Sequence, residues 1–315
     1  MFRKGLMLAF FLLLNACAAT GVRETVQNKE LPRQHELTET PFFPQDLYHC
    51  GPAALATALN AVDIRVTPNQ LVPEVYIPAR QGSLQIEMLA AARRHGALSV
   101  KVAPKLDAVL KEVAAGNVVV VMQNLGLSWA PSWHYAVVVG YHLDQEKIWL
   151  RSGTFERFEM TLSTFQRTWA RSEHWAFVAL KPGSLPAGDN PDAVAKAIVA
   201  FEKNSNKQDA YLSYDAAVKR WSNHLVLLMG LGNSAYALEN YKQATSAFRD
   251  ATIAHPDSAA AHNNLANMLL MQGDASAAKL AAENALQLAG ADPGMRVQIL
   301  KTIEEINAYK LKNPQ

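Results

Sequence analysis

The second half of the chain repeats itself every 34 residues, and no other feature limits the possible folds as much. Across residues 225–258 small and large apolar side chains fall at Leu228, Leu231-Gly232, Ala235, Ala244, Phe248 and Ala251, with Pro256 near the end. One period later come Leu265-Ala266, Leu269, Ala278, Ala282 and Ala285, with Pro293 slightly late. One period earlier a weaker copy survives in Ala210, Tyr214 and Ala217. Strand signals are missing here and alanine dominates, so each period is built from helices. A unit this short cannot bury its apolar face alone and stacks on its neighbours.

The spacing resembles the tetratricopeptide pattern, two antiparallel helices to a repeat. That resemblance implies an all-α solenoid over residues 193–310, about three repeats closed by a helix over residues 293–310. Such solenoids present a concave surface that commonly binds extended peptide, so a protein partner is expected on the repeats. Gly230-Leu231-Gly232 then serves close helix packing and not a phosphate-cradling loop.

A chain of 315 residues suggests two domains. The run Lys181-Pro182-Gly183-Ser184-Leu185-Pro186-Ala187-Gly188 reads as the connection, with residues 183–192 as linker. Before it, over residues 41–182, helices mix with strands. Helical signals cover residues 53–61, 83–95 (Ser83 as N-cap, Gly96 as stop), 106–115, and 162–169 with Thr161 as cap. Strand signals cover 118–123, 135–141, 147–151 and 175–180, with Asp144-Gln145-Glu146 as a hairpin turn. A helix bearing Cys50 followed by an antiparallel sheet carrying His134 resembles the order of papain-like folds. The predicted class is an α+β papain-like cysteine peptidase domain followed by the solenoid.

Residues 45 to 52 read Gln-Asp-Leu-Tyr-His-Cys-Gly-Pro and run straight into the first of those helices. Cys50 therefore sits at a helix N-terminus, where unpaired N–H groups and the helix dipole favour thiolate over thiol. Pro52 suits a first turn because its missing N–H costs nothing there, and Gly51 leaves space beside the sulfur. Gln45 can offer a side-chain N–H to an oxyanion, with the Cys50 backbone N–H as the second donor. The plainer alternative is a small buried hydrophobe opening a core helix.

A nucleophilic thiol needs an imidazole nearby. Of nine histidines, His134 opens the β-branched run Trp133-His134-Tyr135-Ala136-Val137-Val138-Val139-Gly140-Tyr141, which is long enough to cross a domain centre. His142 and His174 border strands but lead into no such run. Gln45, Cys50-Gly51-Pro52 and, about 80 residues on, His134-Tyr135-Ala136-Val137-Val138 with Gly140-Tyr141 together resemble the bacteriocin-processing peptidases that cut double-glycine leaders. The resemblance spans roughly residues 41–180. It implies that Cys50 attacks, His134 is the base and Gln45 helps form the oxyanion hole. Members usually carry an aspartate after the histidine hairpin, where this chain has Ser152; a serine can accept from the imidazole but brings no charge. Asp144 is a distant substitute.

The N-terminus looks like export machinery. Arg3 and Lys4 precede the apolar run of residues 6–14, too short to span a bilayer, and Leu14-Asn15-Ala16-Cys17 resembles the lipobox of bacterial lipoproteins. That resemblance implies a signal peptide over residues 1–17, acylation of Cys17 and, with Ala18 following, an outer-membrane protein facing the periplasm. Cys50 is then left without a disulfide partner. The polar, aperiodic residues 18–40 read as a flexible tether.

A formal net charge of +2 with no basic stripe argues against nucleic acid. No paired metal-ligand spacing occurs, so neither metal nor cofactor is expected. Three readings follow. The first is a membrane-anchored thiol peptidase acting on a peptide or protein substrate. The second is a non-catalytic peptide-binding adaptor, and the third a cell-wall peptide amidohydrolase or acyl transferase sharing the Cys-then-His order.

Overall fold

The β-branched run becomes the central strand of the first domain. The computed structural model describes residues 21–45 and 49–313, and the chain divides between Ala193 and Val194. Ahead of the division lie helix α1 (residues 21–27), strand β1 (Gln34–Glu36), α2 (Cys50–Asn60), α3 (Pro68–Val75) and the small hairpin β2 (Tyr76–Ile77) and β3 (Gly82–Ser83). There follow α4 (Gln85–Arg94), β4 (Leu98–Lys101), α5 (Leu106–Ala114), β5 (Val119–Asn124), β6 (Trp133–His142), β7 (Lys147–Ser152), β8 (Phe155–Thr161), α6 (Leu162–Ala170) and β9 (Ala176–Leu180). The sheet runs β4-β9-β5-β6-β7-β8, with every neighbouring pair antiparallel.

Two-sided burial explains why β6 is apolar throughout instead of alternating. Tyr135, Val137 and Val139 join a core cluster with Ala54, Leu55, Ala58 and Leu59 of α2, while Ala136 and Val138, of opposite parity, are equally buried. Alanines along α2 let its axis lie close to the sheet, so nearly the whole helix is buried.

Three expectations are corrected. Residues 21–40 are no free tether: Val22, Thr25 and Leu31 are buried, and β1 pairs with β6, Glu36 opposite Gly140 and Gln34 opposite His142. A three-residue strand is too short to show a period, which is why the segment reads as aperiodic. Residues 1–20, with Cys17, lie outside the described residues. Ser83 caps no helix, since it belongs to β3 and α4 starts after Leu84 without a side-chain cap. Part of the linker is held down, because the buried Glu112 carboxylate accepts from the Ala187 and Gly188 N–H groups at 3.0 Å each. Further elements went unread in the sequence, among them α3, β4 and β8. Helix α3 carries a legible signal, the Thr67/Gln70 capping box with Pro68 at its start. β4 is only four residues long, and the solvent-facing side chains of β8 hide its pattern.

The repeats are more regular than their core positions suggest. Helices α7 (Pro191–Glu202), α9 (Leu225–Ala237), α11 (Ala259–Met271) and α13 (Pro293–Lys312) begin 34 residues apart, as do α8 (Lys207–Arg220), α10 (Tyr241–Ala254) and α12 (Ala275–Leu288). Pro293 is therefore on time as a helix start. The N-caps keep the same step: Asn206, Asn240 and Asp274 each accept from the backbone N–H three residues on. Capping side chains fix where each helix can begin, so the period is written in polar residues as well as apolar ones.

Within the repeats, glycine makes room for rings. A Cβ on Gly232 would stand 2.4 Å from the Phe248 ring, and one on Gly230 would stand 2.2 Å from the Tyr214 ring. In an open helix Gly→Ala gains about 1 kcal/mol. Here overpacking costs about 1–3 kcal/mol and outweighs that gain. Gly232→Ala is expected to lower the denaturant midpoint of unfolding, and a raised midpoint would show that the ring moves aside freely.

Candidate active site

Three elements converge on the thiol. Cys50 is the first residue of α2 and 9% exposed, and its sulfur meets the backbone N–H groups of Tyr135, Gly51 and Cys50 itself. Burial nevertheless dominates and pushes the thiol above its ordinary value, with those N–H groups pulling weakly the other way. The helix N-terminus does not win here, contrary to the reading of α2 as thiolate-favouring. Gly51 does not open space beside the sulfur either. A Cβ there would fall 2.2 Å from Ser83 Oγ, so glycine lets the β2–β3 hairpin close against the thiol-bearing turn.

His134 enters from β6, one residue before the Tyr135 N–H that touches the sulfur, and pairs with Gln123 of β5. Its Nε2 makes a 2.8 Å hydrogen bond with Ser152 Oγ at the end of β7. When Nε2–H donates to Ser152, Nδ1 is left as the proton acceptor. Burial holds the imidazole below its ordinary value. Among the described residues no hydrogen bond joins the Cys50 sulfur to the His134 ring. Such bonds are often long without substrate and tighten in the complex.

Gln45 lies beside the same strand end. Its backbone N–H donates to the Gly153 carbonyl at 3.2 Å, and its Nε2 would stand 3.9 Å from a Cβ at Gly153. A small cleft is lined by Gln45, Tyr135, Ser152 and Gly153 together with Ala53 and Thr57 of α2. Residues 46–48, between Gln45 and the cysteine turn, lie outside the described residues.

The competing groups are placed elsewhere. Asp144 is ion-paired with Arg33 at 2.5 Å, at the opposite end of β7 from Ser152, roughly 17 Å along the strand at the usual rise. His49 packs edge-on against Tyr76, His95 pairs with Glu74 at 2.8 Å, and His174 packs on Trp169. Among the described residues no group of three or more His, Cys, Asp or Glu side chains could hold a metal ion.

Sequence reasoning missed Arg151. It is buried and donates to the carbonyls of Thr38, Thr40 and Glu156, tying the segment that leads to Gln45 to the end of β7 and the start of β8. The available signal is an arginine inside the apolar strand Ile148-Trp149-Leu150-Arg151-Ser152, where a charge is tolerated only with partners.

The α+β domain thus holds a thiol at the mouth of its buried helix, against the strand that carries a hydrogen-bonded histidine. Residues 26–176 match the Peptidase_C39 like family and residues 229–295 match Tetratricopeptide repeat, so these two stretches are similar to a C39-like peptidase domain and to tetratricopeptide repeats. The chain is similar to a C39-like peptidase from Bacillus anthracis, at 18% identity and TM-score 0.40 over 48% of this chain and 98% of that one. Its repeats are similar to the type III secretion translocator chaperone SycD of Yersinia enterocolitica, at 17% identity and TM-score 0.37 over 41% of this chain and 90% of that one. They are also similar to PcrH of Pseudomonas aeruginosa, at 17% identity and TM-score 0.36 over 38% and 96%. No curated protein matches the chain.

With burial holding the thiol protonated, iodoacetamide labelling of Cys50, read by mass spectrometry on its own peptide, is expected to keep rising from pH 7 through pH 9.0, the ordinary value for a thiol. A rate already saturated at about pH 6 would show that the helix N-terminus outweighs burial.

Proposed function

We propose that the protein is a thiol peptidase whose nucleophile is Cys50 and whose base is His134. The observation that carries the reading is the pairing of His134 Nε2 with Ser152 Oγ, one residue from the backbone N–H that meets the sulfur. Cys50 Sγ attacks the carbonyl carbon of a peptide bond and its proton passes to His134 Nδ1. The oxyanion draws on the Cys50 backbone N–H and the Gln45 side-chain amide. Collapse breaks the C–N bond as His134 returns the proton to the leaving amine, and water then hydrolyses the thioester. Thiol and imidazole both rest neutral, so proton transfer accompanies attack and no preformed ion pair is required.

The tetratricopeptide repeats hold the substrate or a partner protein in this reading. The Leu14-Asn15-Ala16-Cys17 stretch supports acylation at Cys17 and an outer-membrane protein facing the periplasm. Metabolic labelling with a palmitate analogue, lost on Cys17→Ser, tests that placement. One observation favours a second reading, a peptide-binding adaptor without catalysis: the third group beside His134 is a neutral hydroxyl, which lends no charge to an imidazolium.

Cys50→Ala is expected to abolish cleavage of a random peptide pool, assayed by mass spectrometry, with the melting temperature nearly unchanged; a fully active variant rejects the peptidase. Ser152→Ala, which removes one hydrogen bond, is expected to lower kcat/KM by about tenfold, while Ser152→Asp raises kcat by adding the missing charge. Because burial moves His134 downward from 6.5, the imidazole stays neutral further into acid, and the acid limb of kcat/KM is expected below pH 6.5. An acid limb above pH 7 would assign it to another group.

A further inference from the structure

The turn that carries the thiol is gripped from outside by the small hairpin β2–β3. Tyr76 and Ser83 stand opposite each other across that hairpin. Tyr76 packs edge-on against His49, the residue before Cys50, with 5.0 Å between ring centres. Ser83 presses on Gly51, the residue after Cys50, so closely that a Cβ there would meet Ser83 Oγ at 2.2 Å. One cross-strand pair therefore clasps both neighbours of the nucleophile. Tyr135 fastens the clasp to the sheet. Its hydroxyl donates to the Ser83 carbonyl at 3.1 Å, while its backbone N–H meets the Cys50 sulfur.

The Ser83 hydroxyl itself is idle. Among the described residues Oγ is buried and has no hydrogen-bond partner. Such a group destabilises a resting fold, because the water it lost is not replaced. Alanine would fill the same place without that penalty. A hydroxyl turns its hydrogen freely, and other staggered rotamers are open to it, so the donor can follow an acceptor that arises nearby. The atom that gains charge here is the Cys50 sulfur. Burial first, and the nearness of Cys50 second, hold the Tyr135 phenol well above its usual range. Within the apolar cluster around Cys50, Tyr135 is the other titratable side chain, and Ser83 and Met88 arrive uncharged from the hairpin side. His134 and Ser152 come from the sheet.

We propose that Ser83 is a thiolate donor, its hydroxyl turning to Cys50 Sγ whenever the sulfur carries negative charge. This deepens the thiol-peptidase reading and rests on it for the reaction. The sulfur gains charge twice, as its proton passes to His134 and again as it leaves carbon when water opens the thioester. Ser83 keeps its own proton and makes no covalent bond. It offsets the desolvation that otherwise penalises a buried thiolate.

Iodoacetamide labelling of Cys50 in the full chain tests this without a substrate. The pH of half-limiting labelling is expected to rise by about one unit in Ser83→Ala, the effect of losing one hydrogen bond to a charged group. The unfolding midpoint of Ser83→Ala at pH 7, where the thiol is neutral, is expected to hold or rise. Ser83→Thr, which keeps the hydroxyl, is expected to leave the labelling profile in place. An unmoved profile in Ser83→Ala overturns the inference, whatever the unfolding midpoint does. So does a Ser83→Thr profile displaced as far as that of Ser83→Ala, since packing and not the hydroxyl would then set it. With a peptide substrate, Ser83→Ala is expected to lower kcat about tenfold at constant KM. If the profile moves while the intact chain cleaves no peptide, the donor stands and the peptidase reading falls. If peptides are cleaved and the profile stays put, the peptidase stands and the donor falls.

Discussion

The packing of α2 on β6 is the contact on which the rest of the first domain depends. An alanine-rich helix can lie close enough to a sheet for its first residue to touch strand backbone, and that proximity puts the Cys50 sulfur on the Tyr135 N–H. Everything else in the site is fixed relative to β6. Ser152 meets His134 because β7 is its antiparallel neighbour, and Gln45 is held at the same end through Gly153. A bulkier residue along α2 would lift the helix and move the thiol off the strand.

Burial also sets the electrostatics of the site. Both candidate groups are moved toward their neutral forms, the thiol up and the imidazole down. A neutral hydroxyl at Ser152 is consistent with that environment, since a carboxylate in the same place would itself need solvation or a partner. Among the described residues, the buried cation Arg151 is satisfied by carbonyl oxygens and spends its charge on architecture.

Legibility followed signal length. The strand opened by His134 and the helix opened by Cys50 are long and strongly patterned, and both form where the pattern puts them. The 34-residue period holds through all seven helices of the second half, and attention to caps such as Asn206, Asn240 and Asp274 would have made the weak first copy as plain as the others. Short or solvent-facing pieces were opaque. β1 spans three residues, and β8 exposes most of its side chains, so neither shows a period-2 alternation.

Sequence alone determined the two-part architecture and the candidates Gln45, Cys50 and His134, because periodicity, helix-start chemistry and spacing are local properties of the chain; Ser152 came in only through the family resemblance. Tertiary structure decided what locality cannot reach. It docked residues 21–40 onto the sheet, pressed Ser83 against Gly51, and removed Asp144 to the far end of β7. It also set the direction of the thiol's shift, since desolvation depends on every element packed around Cys50, and a helix N-terminus reports only one of them.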